Sequence, residues 1–203
     1  MTKTKKQTVR LVLMALLTAI IVMLTCLPLR TMGFEITLAV IPIAVGAVVL
    51  GPVAGAVLGG VYGICSFLQC LGLLLPSPLG MGLLAINPIF TVITCIVPRV
   101  LCGLFAGLVF KGLKNIDKTN FLSYSAACLT CPLLNTVFFM SSLMIFFGQT
   151  ELMQSFMDTL GVYNPIMFVL AFVGINGLVE AIACFVIATA VSKALTLNKF
   201  HLT

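Results

Sequence analysis

The chain has 203 residues, of which 61% are hydrophobic and 8% charged, with a mean hydropathy of +1.25. A soluble domain carries roughly a quarter of its residues as charges, so water cannot solvate this chain on all sides and the reading is an all-α polytopic membrane protein. The net charge of +6 does not point to nucleic acid, because the basic residues stand at loop positions and form no patch.

A membrane-crossing helix needs about 20 apolar residues. Six such segments are read in chain order: 10–29, 36–50, 53–75, 88–111, 121–147 and 165–194. They are expected to form one integral membrane domain over 1–203. The first follows the basic stretch KTKKQTVR. Its apolar run from Leu11 to Leu29 is too long for the core of a cleaved signal, and no A-x-A site follows it. The second is short and carries Pro42, and Gly51-Pro52 predicts a tight turn into the third. The fourth and sixth open alike, with Asn87-Pro88-Ile89 and Asn164-Pro165-Ile166. Asparagine suits the capping position, and proline the first helical position, where its missing N–H costs nothing. Small residues recur every fourth position at Gly55, Gly59 and Gly63, at Gly103 and Gly107, and at Ala15 and Ala19. Such faces let helices approach closely in lipid.

Orientation follows from lysine and arginine in the short loops. With the N-terminus inside, Lys3, Lys5, Lys6, Arg10, Lys111, Lys114, Lys118, Lys193 and Lys199 are cytoplasmic and only Arg30 lies outside. Both termini are therefore expected in the cytoplasm.

Three strongly polar side chains lie within the apolar segments at similar depth. Arg99 stands 11 residues after Pro88 and Asn176 11 residues after Pro165, each about 16 Å along its helix. Asn135 stands 13 residues before Gly148, about 20 Å from that end. Glu180 lies four residues beyond Asn176, on the same face. A mid-membrane arginine costs on the order of 3 kcal/mol and needs a partner. Two partners are open: Glu180, as a structural ion pair, or an anionic ligand clamped by the guanidinium with the amides of Asn135 and Asn176. Pro132 would add a kink and a freed carbonyl near this layer.

Catalytic and energising motifs are missing. The sequence contains no GxxxxGK[ST] loop and no HExxH, and its one histidine is His201 in the tail. Cys128 and Cys131 form a CxxC without a second pair, so the eight cysteines are read as small hydrophobes with no metal, redox or other cofactor role. The chain reads as a binding protein, not an enzyme.

Several stretches resemble a known family. The basic N-terminus, Ala15-x-x-x-Ala19, AVIPIAVGAVVLGPVAGAVLGGVYG (39–63) and six spans in about 200 residues are similar to the S components of energy-coupling factor (ECF) transporters. These are the substrate-capturing membrane subunits of bacterial vitamin importers. VPRVLCGLFAGLVFKGL (97–113), LTCPLLNTVFFM (129–140) and GINGLVEAI (174–182) look most like the pantothenate branch. That branch often has threonine on both sides of the fifth-helix asparagine; here Leu134 precedes Asn135. The resemblance implies a six-helix bundle in the bacterial cell membrane with a pocket near the outer face, built from helices four to six. It implies a vitamin ligand, a transmembrane coupling subunit and two ABC-type ATPases as partners, with Ala15 and Ala19 on the face that docks the coupling subunit. Substrate contacts would fall to Arg99, Asn135, Asn176 and Glu180. An S component for another vitamin or precursor stays open, as does a stand-alone facilitator or secondary carrier; uptake with and without the ATPase module separates these.

Overall fold

The computed structural model describes residues 3–27, 30–31, 34–35, 38–114, 121–159, 161, 167, 177 and 180–197. Within them the protein is helical apart from a two-residue antiparallel pairing of β1 (Arg30–Thr31) with β2 (Phe34–Glu35). The helices are α1 (Lys3–Thr25), α2 (Val40–Leu50), α3 (Pro52–Cys70), α4 (Pro78–Ile86), α5 (Pro88–Lys114), α6 (Phe121–Phe147) and α7 (Glu151–Thr159). After a π-helical turn at Cys184–Ala188 comes α8 (Thr189–Leu197).

Four helices, α1, α3, α5 and α6, are long and apolar enough to cross a membrane. The expected second span, 36–50, is a helix of only 11 residues, about 16 Å long. Much of the expected sixth, 165–194, lies outside the described residues. Of the six expected spans, the described residues hold four full-length helices and the short α2. α1 also begins earlier than its apolar run, taking the basic stretch into the helix.

The helix starts follow the sequence closely. Gly51, at φ 99°, makes the turn between α2 and α3, a left-handed conformation that glycine adopts without strain. Asn87 caps α5: its Oδ1 accepts from the backbone N–H groups of Ile89 (3.0 Å) and Phe90 (3.2 Å), and Pro88 fills the first helical position. The matching Asn164-Pro165 start lies outside the described residues.

Two short helices were not expected. α4 is capped by the Ser77 hydroxyl, which accepts from Gly80 N–H at 3.4 Å. α7 is capped by Thr150 through Met153 N–H, also at 3.4 Å. They meet where Leu152 packs over Gly82. There, Leu83, Met140, Leu143, Phe147 and Met153 form an apolar cluster separate from the main core.

The main core surrounds α2, of which every residue but Ile41 is buried. α1 lies against α2 and α3 through Leu17 and Ile21. It is tied at both ends by polar bonds: Arg10 Nη2 donates to the C-terminal Leu50 carbonyl of α2 (3.1 Å), and Gln69 Nε2 donates to the Thr25 carbonyl (3.2 Å). A cation at a helix C-terminus satisfies an orphan carbonyl and suits the dipole.

α3 and α5 run antiparallel in backbone contact. A Cβ on Gly55 would meet the Gly103 carbonyl, one on Gly59 the Arg99 carbonyl, one on Gly63 the Ile96 backbone, and one on Gly107 the Pro52 backbone. The four-residue glycine spacing is a helix-packing device here. It also fixes where Arg99 sits, because the peptide of Arg99 is pressed on Gly59.

Candidate functional site

The site grows from the start of α5. With Asn87 setting the first turn, Thr91 and Thr94 fall on the buried side of the helix, and Arg99 follows with only 6% of its surface exposed. Pro98 stands just before Arg99, inside the helix. An α-helical N–H bonds the carbonyl four residues back, and proline has none, so Pro98 leaves the Thr94 carbonyl free. Arg99 takes it: Nη1 donates to Thr94 O at 2.9 Å. The guanidinium carbon also lies 5.1 Å from the centre of the Tyr62 ring on α3 and 4.8 Å from that of Phe139 on α6.

These contacts explain how the charge is tolerated. Insertion of an arginine costs on the order of 3 kcal/mol. A desolvated cation–π contact returns about 0.5–2 kcal/mol, and a hydrogen bond from a charged donor about 1.5–3 kcal/mol. The two rings and the Thr94 bond together match the cost, so no carboxylate is required. Glu180 is buried and engaged in interactions of its own, and it is not among the contacts shown for Arg99.

Among the described residues, Arg99 Nε is buried without an acceptor and Thr94 Oγ1 without a partner. Across the helix interface, Asn135 is 8% exposed and its Oδ1 has no donor among them. α5 and α6 run antiparallel, held by the stacked Phe90–Phe146 pair (4.7 Å), the Cys102–Cys131 contact (3.9 Å) and the Phe110–Tyr124 pair (5.0 Å). Arg99 is one turn from Cys102 and Asn135 one turn from Cys131, both toward the Phe90–Phe146 end. That register brings Arg99 and Asn135 to one level. Phe139, one turn beyond Asn135 on the same face, is the ring that meets the guanidinium.

The described residues thus unite Arg99 and Asn135 at one level and bury Glu180, whereas Asn176 lies outside them. Three contributors escaped the sequence reading: Thr94, Tyr62 and Phe139. A signal existed for Thr94, since a proline within a helix releases the carbonyl four residues earlier. None marked the rings, because aromatic residues in apolar helices read equally well as core or lipid contacts. Among the described residues, no group of three or more His, Cys, Asp or Glu is arranged to hold a metal.

Ala15 and Ala19 are exposed on the side of α1 away from the core, in a surface shared with Leu11, Val12, Leu16 and Met23.

The family model for the ECF transporter, substrate-specific component, matches residues 9–192. The chain is also similar to the pantothenic acid transporter PanT of Lactococcus lactis subsp. cremoris (strain MG1363), with 29% identity over 168 residues, covering 79% of this chain and 77% of the relative.

Proposed function

The chain belongs to the family of ECF transporter substrate-specific components, and from that premise we propose that it captures pantothenate for an ATP-driven importer. It is a vitamin-binding membrane component, not an enzyme. In this reading it spans a bacterial membrane with both termini in the cytoplasm and takes the vitamin from the outer side. The ATP is hydrolysed by two partner ATPases acting through a coupling subunit, which docks on α1 at Ala15 and Ala19.

The observation that carries the ligand assignment is the buried Arg99, whose Nε has no acceptor among the described residues, level with an Asn135 carbonyl that has no donor among them. Pantothenate offers one carboxylate for the first and hydroxyl or amide donors for the second. A charge-assisted contact in a poorly hydrated site is strong. Asn176 and Glu180 complete the polar wall in this reading. The similarity to a pantothenic acid transporter points to the same ligand.

Calorimetric titration of the purified, monodisperse protein with pantothenate tests the reading. Arg99→Lys keeps the charge but loses the planar fork, so affinity should fall roughly 100-fold. An Arg99→Leu protein that folds and binds with unchanged affinity would overturn the assignment. Removing Glu180 together with Arg99 should not restore binding, as it would if the two merely balanced one another. Uptake should require the ATPase module; equal uptake without it would mark a facilitator.

A further inference from the structure

We propose that Pro98 is a positioning residue for the Arg99 guanidinium: it withholds a backbone N–H from Thr94 so that Arg99 must supply one. The inference rests on the reading of Arg99 as the carboxylate receptor and adds the device that orients it.

The geometry has three parts. The Thr94 carbonyl is the one a residue at 98 would normally bond, and a proline there cannot. Arg99 Nη1 occupies that carbonyl at 2.9 Å, reaching back five residues in the direction that helical side chains lean, toward the N-terminus of their own helix. The Tyr62 and Phe139 rings flank the guanidinium carbon. One nitrogen is thereby anchored, while the buried Nε has no acceptor among the described residues. The open donor is Nε, held in one orientation before any ligand arrives, and a carboxylate approaching it can take a charge-assisted hydrogen bond there. Pre-organisation of this kind lowers the ordering cost of binding.

Pro98→Ala restores the missing N–H and sets it in competition with Arg99 for Thr94. If Pro98 served only to bend α5, its removal would leave the guanidinium where it is. Two readouts decide. The first is pantothenate titration beside thermal unfolding: affinity should drop about ten-fold, while the midpoint holds or rises because a helix-breaking residue has gone. The second needs no ligand. The chain has three arginines, Arg10, Arg30 and Arg99, so ¹⁵N-arginine NMR can follow the Arg99 Nη pair, assigned by its loss in Arg99→Lys. Distinct Nη signals are expected in the unsubstituted protein, and averaged ones in Pro98→Ala as the side chain begins to rotate. Pro98→Leu, which restores the same N–H, should behave likewise and serves if the alanine variant is unstable. Unchanged Nη signals in a folded variant overturn the proposal, whatever the affinity does, and leave the role of Arg99 standing. Failure of the unsubstituted protein to bind pantothenate would instead sink the ligand assignment, with the Nη signals still deciding on Pro98.

Discussion

The two faces of α5 are built on opposite principles. Toward α3 the contact is backbone on backbone, with glycines from both helices leaving no space for a methyl group. Toward α6 the contact is made by rings, thiols and long side chains, and among the described residues polar atoms are left without partners. Arg99 belongs to both, its carbonyl pressed on Gly59 of α3 and its guanidinium set between Tyr62 of α3 and Phe139 of α6. The contrast shows how a membrane protein can hold a costly polar group precisely placed. One side of the helix is made rigid so that the other can be left incomplete. In lipid, where burying apolar surface against another helix gains little, close packing of small residues is the available source of rigidity.

The sharpest way to break the contrast is to fill the rigid side. Gly59→Leu should be the most damaging substitution, costing on the order of 3 kcal/mol or more because the Arg99 backbone cannot yield. It should appear as loss of monodisperse protein or a large fall in thermal midpoint. Gly60→Leu is the control, since a Cβ there meets only the Val100 side chain at 3.6 Å. Equal tolerance of the two would show that the seam is not rigid.

A second test uses small residues that have no partner yet. Ala15 and Ala19 share the four-residue spacing of the seam but are exposed. Ala15→Trp should leave pantothenate affinity unchanged and abolish ATP-driven uptake, because bulk would hold a docking helix away. Normal uptake in reconstituted vesicles would remove α1 from the docking surface.

The smallest expected effect lies on the incomplete side. Asn135→Ala should weaken pantothenate binding about ten-fold without lowering the thermal midpoint, since its amide oxygen has no donor among the described residues to lose. A stability loss with unchanged affinity would make Asn135 a packing residue.

What could be read from the sequence was whatever a residue type forces by itself. A single arginine in a long apolar run declares its own exceptional placement, Asn87-Pro88 encodes a capped start, and glycine at every fourth position encodes a close crossing. Short elements were harder. α4 and α7 span nine residues each, below the length at which apolar periodicity stands out, although Ser77-Pro78 and Thr150 carried capping signals. The rings around Arg99 were illegible because a phenylalanine in a membrane helix is equally at home against lipid, core or cation. Their role depends on helix register, which here is set by contacts distant in sequence, such as Phe90 with Phe146.

α2 carries a consequence for how the protein is made. Its 11 apolar residues reach about half of a 30 Å hydrocarbon layer, and nearly all are enclosed by protein. Apart from α1, the helices that enclose it (α3, α5, α6 and the last) are all synthesised after it. When Val40–Leu50 emerges from the ribosome, it is too short for stable insertion on its own and the surfaces that will cover it do not exist. The Gly51 turn joins it directly to α3, so the two can enter the bilayer as one hairpin. Final seating of α2 must then wait for the C-terminal half of the chain, making completion of synthesis, not passage of each span through the insertion machinery, the step that commits the fold.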